Sequence, residues 1–149
     1  MNPTRAAADP ITEEIIVNAS AERVFDAFVR PSERVTWWNV EGRFHTTHMD
    51  SDLRPGGKWI MRGTRGDGGP FSVQGEYRVV DRPRLLVFTW RPDWQGDATQ
   101  SEVRIELTER DGATHVRLTH SGLTTEISRQ SHRGWPQILA LMQKYVDRH

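Results

Sequence analysis

The sequence predicts an α+β fold in which a curved antiparallel β-sheet wraps around a long C-terminal α-helix, with two short helices after the first strand. Apolar and polar residues alternate through most of the region after Val40, which is the period of half-buried strands. Turns rich in glycine and proline separate these runs too closely for parallel crossovers. The last segment instead carries one helical stripe of apolar residues.

The chain before Val40 supplies the first strand and the two short helices. Residues 1–10 carry no apolar pattern and predict a disordered N-terminal tail, while the β-branched run Ile11–Val17 predicts a strand. Ser20 is suited to cap a helix with helically spaced apolar positions. Pro31 ends that helix and begins a second one, which reaches Trp37–Trp38. The apolar positions of the first helix are Val24, Phe25 and Phe28.

Six further strands follow, joined by turns such as Arg54–Gly57 and Asp111–Gly112. Turns this short require neighbouring strands to run antiparallel. From Phe71 to Val79 the odd positions are apolar apart from Gly75, and the even ones are polar, so one face of the sheet is dry and the other wet. The predicted strands are Arg43–Met49, Lys58–Gly63, Phe71–Asp81, Arg84–Arg91, Glu102–Glu109 and Thr114–Thr119.

The final helix, from about Thr125 to Asp147, is the long apolar element available to cover the dry face. Its stripe consists of Trp135, Ile138, Leu139, Met142, Tyr145 and Val146. A curved sheet around one helix leaves interior volume unless large side chains fill it. No repeat or change in composition divides the chain, so we expect residues 11–149 to form a single domain.

Composition argues against several classes of function. The 20 basic and 20 acidic residues cancel and the arginines are scattered, so neither nucleic acid nor a membrane surface is an expected partner. The lack of cysteine removes disulfides, thiolate nucleophiles and cysteine-based zinc sites. No apolar run approaches the ~20 residues of a membrane span. The N-terminal residues also lack the apolar region of a signal peptide, and we expect a cytoplasmic protein.

Several short motifs strengthen the prediction of the fold. They are Ala21–Phe25, Trp37–Trp38, Asp52–Gly57, Arg84–Trp90, Thr119–Leu123 and Gly134–Trp135. With the order of elements, they make residues 11–148 resemble the START-like helix-grip superfamily, and more closely the branch similar to the C-terminal domain of the activator of Hsp90 ATPase. The resemblance implies a helix-grip fold with a cavity. The chaperone role of the eukaryotic relatives also involves a further N-terminal domain, so we do not transfer an Hsp90 partnership to this chain.

No motif indicates a metal or another cofactor. His45 and His48 invite a metal interpretation, but side chains three apart on a strand are expected to point to opposite faces. Asp50 and Asp52 precede a Pro-Gly-Gly turn, where acidic residues are common. We therefore predict no metal site and no cofactor.

His120 is the polar residue that most suggests chemistry. It keeps the parity of Val116 and Leu118 and should face the dry side, where an imidazole is able to bind a ligand or shuttle a proton. The alternative is a structural role at the junction between the last strand and the helix. If the protein is an enzyme, His120 and Tyr77 are the acid–base candidates.

The aromatic residues, which include six Trp and five Phe, favour a cavity that binds a small hydrophobic molecule. For any single aromatic residue, plain core stays open as the alternative. Two other functions also stay open: an enzyme of the same fold acting on a hydrophobic substrate (cyclase, dehydratase or hydrolase), and a protein-interaction module, either a co-chaperone or a homodimer. The predicted pocket residues are Trp38, Trp59, Met61, Val73, Tyr77, Trp90, His120, Trp135, Leu139 and Met142.

Overall fold

The structure, a computed structural model, describes residues 10–93 and 100–148. The predicted disordered tail therefore lies outside the described residues, apart from Pro10. The predicted order of elements is confirmed, with one short strand added and the last helix divided in two. The strands are β1 (Ile11–Val17), β2 (Asn39–Val40), β3 (Phe44–Ser51), β4 (Lys58–Arg65), β5 (Pro70–Asp81), β6 (Leu85–Pro92), β7 (Ser101–Arg110) and β8 (Ala113–Ser121). The helices are α1 (Ala21–Val29), α2 (Pro31–Trp37), α3 (Glu126–Ser131) and α4 (Trp135–Arg148).

The strands form one antiparallel sheet in the order β1-β8-β7-β6-β5-β4-β3-β2. From β2 to β8 each strand pairs with the next one in the chain, as the short turns predict. β1 pairs with β8, so that Ile11 lies opposite His120 and Val17 opposite Thr114. The sheet curls around α4, which confirms the helix-grip architecture.

A β-bulge between Thr46 and His48 changes the predicted orientation of two histidines. His45 pairs with Thr64. His48 pairs with Arg62, which is two residues away from Thr64 on β4 and therefore on the same face. Both histidines are exposed on that outer face. The prediction that they point to opposite faces is wrong, because the bulge inserts one extra residue between them.

A second bulge lies between Tyr77 and Val79 on β5. Tyr77 is buried and pairs with Phe88. Val79 pairs with Val87, the neighbour of Phe88 on β6, and is 37% exposed. The expectation that Val79 faces the dry side is therefore wrong, since the bulge reverses the alternation before it.

α1 begins at the predicted serine cap. Ser20 Oγ accepts a hydrogen bond from the backbone N–H of Arg23 at 3.1 Å. The N–H of Ala21 donates to Glu109 Oε1 at 2.7 Å, which places a carboxylate at the positive end of the helix and ties α1 to β7. The predicted apolar positions of α1, Val24, Phe25 and Phe28, are buried.

The C-terminal segment forms two helices where the apolar stripe predicts one. His132 leaves helical geometry after α3, with φ −114° and ψ 19°. Gly134 has no side chain to restrict its backbone, so it can adopt the conformation of this turn. Pro136 has no backbone N–H and is therefore tolerated only in the first turn of a helix, where N–H groups have no partner within the helix. The chain therefore restarts its helix at Trp135, and α4 covers the dry face of the sheet. The buried residues of α4 are Trp135, Ile138, Leu139, Met142 and Val146.

Candidate functional site

A cavity of about 650 Å³ lies between the sheet and the α3–α4 break. The sheet side is contributed by β2 to β6, and the helical side by residues 130 and 132–138. Exposed polar residues, Arg43, Arg65 and Gln137 among them, line the part that reaches the surface. The interior lining is apolar except for the buried His132. Its apolar residues are Trp38, Val40, Phe44, Met61, Phe71, Val73, Trp90, Trp135 and Ile138.

Three tryptophans from distant parts of the chain meet at the buried end of the cavity. Trp38 follows α2, Trp90 lies on β6 and Trp135 begins α4. The ring centroids of Trp135 are 5.7 Å from Trp38 and 5.5 Å from Trp90. Tilted and edge-to-face arrangements of this kind stabilise one another beyond the gain from burial alone. The three rings form a continuous apolar wall, which we call the tryptophan wall.

His120 lies behind the tryptophan wall and connects two of its members. Its Nδ1 accepts a hydrogen bond from Trp135 Nε1 at 3.0 Å, so the neutral ring carries its proton on Nε2. That N–H donates to Ser101 Oγ at 2.7 Å, and the Ser101 hydroxyl donates to the carbonyl of Trp90 at 3.2 Å. This chain of hydrogen bonds holds Trp135 against β6.

His132 forms a second connection, from the α3–α4 break to the sheet. Its Nε2 accepts a hydrogen bond from Trp90 Nε1 at 2.9 Å, and its Nδ1–H donates to the carbonyl of Ser128 at 2.7 Å. The rings of His132 and His120 are in edge contact, with centroids 4.8 Å apart. The helix break is thereby attached to the tryptophan wall.

Burial lowers the pKa of both imidazoles. The pKa of His120 falls to about 3, through burial first and the neighbouring His132 second. Burial also lowers the pKa of His132, while the hydrogen bond to Ser128 acts in the opposite direction. At neutral pH the His120 ring is uncharged, and both of its nitrogens are already hydrogen-bonded. The geometry therefore favours the structural role for His120 over proton transfer.

Arg34 is a buried cation for which the described residues provide no carboxylate partner. Its Nη1 donates to the carbonyl of Phe28 at 2.7 Å, in the last turn of α1. Its guanidinium carbon lies 4.1 Å from the ring centroid of Trp38, and its Nε is buried without a hydrogen-bond partner. Burial lowers the pKa of Arg34 to about 10, so the group stays charged at neutral pH. The helix terminus and the tryptophan face stabilise that charge.

Half of the residues predicted for the pocket line this cavity, and the other half are buried elsewhere in the core. The lining ones are Trp38, Met61, Val73, Trp90 and Trp135. The others are Trp59, Tyr77, His120, Leu139 and Met142. The hydroxyl of Tyr77 lies 2.6 Å from Ser51 Oγ, whereas His120 bonds to Trp135 and Ser101, so the two acid–base candidates share no hydrogen bond.

Sequence reasoning missed several lining residues. Phe71 had a usable signal, because it shares the parity of Val73 on β5. Phe44 is the first residue of β3, so no preceding strand residue shows which face of the sheet it occupies. No sequence signal pointed to His132, because it lies where the helix breaks and the apolar pattern predicts one continuous helix there. The exposed arginines also carry no periodic signal.

The two histidines considered as metal ligands lie on the outer face of the sheet, away from the cavity. His48 Nε2 is 2.9 Å from Asp50 Oδ2, and both groups are exposed. Within the described ranges, no group of three or more His, Asp or Glu side chains is arranged to hold a metal ion. Among the residues that the structure describes, no helix is both long enough and apolar enough to span a membrane.

Comparison with known proteins gives a family and a set of similar folds. The family model of activator of Hsp90 ATPase homolog 1-like proteins matches residues 18–147. No functionally curated protein matches the chain. Among solved structures, an AHSA1-like protein from Aeromonas hydrophila is 27% identical, with 93% of this chain and 92% of that protein covered and a TM-score of 0.77.

Two more distant structures share the fold. A protein from Chromobacterium violaceum is 23% identical, with 93% of this chain and 96% of that protein covered and a TM-score of 0.80. A protein from Arthrobacter aurescens is 15% identical, with 100% of this chain and 91% of that protein covered and a TM-score of 0.82. At such low identity the likeness speaks for the fold alone.

Proposed function

The chain belongs to the family of activator of Hsp90 ATPase homolog 1-like proteins, and from that premise we propose that it binds a small hydrophobic molecule in the cavity between its sheet and its C-terminal helices. The observation that carries the proposal is the cavity itself, about 650 Å³ with an aromatic wall. Ligand pockets occupy roughly 300–1,000 Å³ and are mostly apolar. This volume therefore suits a molecule of a few fused rings or a medium alkyl chain.

The physical basis of binding is the apolar lining. Side chains that border a hollow lack part of their dispersion contacts, and a ligand that fills the hollow restores them. Transfer of the ligand's apolar surface from water adds about 25 cal/mol per Å². The tryptophan wall is held by His120 and His132, so the pocket is formed before the ligand arrives and little ordering is needed on binding.

Binding is better supported than turnover. A general acid or base has to reach the substrate within about 3 Å or through one water. His120 and Tyr77 do not line the cavity, and their polar atoms bond to Trp135, Ser101 and Ser51. His132 lines the cavity, but both of its ring nitrogens are already hydrogen-bonded, to Trp90 and to Ser128. An enzyme on this chain would need a further proton donor or acceptor at the cavity.

The interaction module is the remaining alternative, with a co-chaperone contact or a homodimer as its forms. Failure of the cavity to bind an apolar probe would favour this function. The proposal also includes the cytoplasmic location expected from the sequence, which fractionation of cells producing a tagged chain will test.

The test uses N-phenyl-1-naphthylamine, a neutral dye whose emission rises in apolar surroundings. We expect saturable binding that also quenches tryptophan emission, since three tryptophans line the cavity. Val73→Phe, which adds a ring inside the cavity, should abolish binding. Val79→Phe is the matched control, because Val79 lies on the same strand and is 37% exposed on the outer face.

The outcomes separate the alternatives. Dye binding that Val73→Phe removes and Val79→Phe retains supports the proposal. Ile138→Ala provides a second check. The substitution enlarges the cavity, so the variant should bind a bulkier dye than the parent protein does. No binding by the parent protein, or equal binding by both phenylalanine variants, would overturn the proposal and leave the interaction module as the better hypothesis.

A further inference from the structure

Among the residues that the structure describes, all charged side chains that line the cavity are basic. They are Arg43, Arg65 and Arg133, and no described aspartate or glutamate joins them. The chain as a whole has 20 basic and 20 acidic residues, so this concentration of one sign is a local feature and not a result of net charge. Arg43 and Arg65 come from the strand ends of the sheet and Arg133 from the α3–α4 break, so they approach the cavity from two sides.

These three arginines are weakly engaged by the protein. Arg65 Nε lies 3.4 Å from Asp67 Oδ1, and Arg133 Nη2 lies 3.4 Å from Glu126 Oε1. All four side chains are well exposed, and surface ion pairs of this kind contribute little to stability because water and salt screen them. The side chain of Arg43 makes no ion pair with another described residue. The guanidinium groups are therefore available to a ligand.

A fourth positive charge lies behind the lining. Arg34 contacts Trp38 and Met61, which both face the cavity, and it is 3% exposed. Buried charges are normally paired, and the potential of an unpaired one is weakly screened inside a protein. The apolar interior of the cavity is thus positive at both its buried wall and its mouth.

We infer that the ligand is an amphipathic anion, with an apolar body against the tryptophan wall and a carboxylate or phosphate held at the mouth by Arg43, Arg65 and Arg133. The inference rests on the proposed function and adds the chemical class of the ligand. The guanidinium group presents planar pairs of N–H donors that match the oxygens of either anion. Proteins fix the orientation of apolar ligands with a few polar groups. In this cavity the three arginines at the mouth would orient the ligand.

Two dyes with the same anilinonaphthalene body test the inference. 8-Anilinonaphthalene-1-sulfonate carries an anionic group, and N-phenyl-1-naphthylamine does not. We expect the sulfonate to bind roughly tenfold more tightly, with an affinity that falls as salt is added, because exposed charges are screened. The affinity for the neutral dye should not depend on salt.

The arginines are tested by a triple variant, Arg43→Gln, Arg65→Gln and Arg133→Gln, which should remove most of the preference for the sulfonate and leave only the contribution of the buried Arg34. The matched control changes three exposed arginines of the outer sheet face, Arg62→Gln, Arg104→Gln and Arg117→Gln, with the same change in net charge. The control should retain the preference of the parent protein. Unchanged melting temperatures will show that both variants are folded.

The sources of the anionic group are distinguished by displacement of the neutral dye with decanoate, decyl phosphate and decylammonium. Displacement by one or both anions but not by decylammonium supports the inference and identifies the preferred head group. Equal displacement by all three, or equal affinity of the parent protein for the two dyes, overturns the anionic class while leaving the proposed hydrophobic binding intact. Failure of both dyes to bind overturns the proposed function itself.

Discussion

The two ends of α4 lie over the same sheet, but one borders packed core and the other borders a cavity. At the C-terminal end Met142 and Val146 are buried, and the helix contacts α1 and β1. Gln143 Nε2 donates to the carbonyl of Ile16 at 2.6 Å, and Tyr145 donates to Glu33 at 2.9 Å. At the N-terminal end Trp135 and Ile138 line the cavity beside the α3–α4 break.

The difference between the two ends shows how one apolar stripe serves two purposes. Where α1 and β1 flank the helix, its side chains are enclosed by neighbours and act as ordinary core. Where the helical chain is interrupted at residues 132–134, space is left beside the break, and the same stripe becomes a cavity wall. Burial alone does not distinguish the two, because Met142 and Trp135 are both buried.

The largest expected effect comes from alanine substitutions one helical turn apart. Met142→Ala should lower the free energy of unfolding by about 2–5 kcal/mol, because it creates a cavity in packed core. Ile138→Ala should fall at or below the lower end of that range, since part of its surroundings is already empty. Urea unfolding of both variants measures the difference. Equal losses would contradict the distinction between the filled end and the hollow end.

The second prediction concerns His120, which lies behind the tryptophan wall. An unfolded histidine titrates near pH 6.5, whereas burial lowers the pKa of His120 to about 3. Between these values the unfolded chain binds a proton that the folded chain does not, so the free energy of unfolding falls as the pH falls. For a single such histidine the loss is roughly 2 kcal/mol from about pH 7 to about pH 5.

His120→Gln should remove about that much of the pH dependence, while its stability at neutral pH should also drop because Trp135 and Ser101 lose their partner. Met142→Ala is the control, since it destabilises the fold and should keep the pH dependence of the parent protein. Urea unfolding at several pH values gives the comparison. If the free energy of unfolding depends on pH in the same way for His120→Gln and for the parent, then His120 binds its proton equally well in the folded and unfolded chain, which contradicts the prediction.

The smallest effect on stability is expected at the mouth of the cavity. Arg43→Gln should change the free energy of unfolding by less than about 0.5 kcal/mol, because the side chain is exposed and makes no ion pair with a described residue. The same variant should weaken binding of the anionic dye. Thermal melting with and without dye separates the two effects. A large loss of stability would mean that Arg43 belongs to the fold and not to the ligand site.

Local patterns were enough for most of the elements and most of the buried faces, but not for β2 or for the break between α3 and α4. Both ends of the strand Ile11–Val17 are predicted correctly, because its β-branched residues stop just before the turn that leads to the Ser20 cap. The alternation along β8 places His120 on the dry side, and this prediction is confirmed because its side chain is fully buried. The bulges after Thr46 and Tyr77 are different, since they accommodate the curvature of the whole sheet and reverse alternation without a local signal.

Local sequence signals fix the order in which strands β2 to β8 pair, the dry face of most strand segments outside the two bulges and the segment that covers that face, because alternation, caps and turn residues act over a few neighbouring positions. Which dry side chains border empty space is set by packing in three dimensions. That depends on where the helix breaks relative to the curled sheet, and on His120 and His132 holding Trp90 and Trp135 in place. Hollow volume is a property of packing between distant segments, and no single segment encodes it.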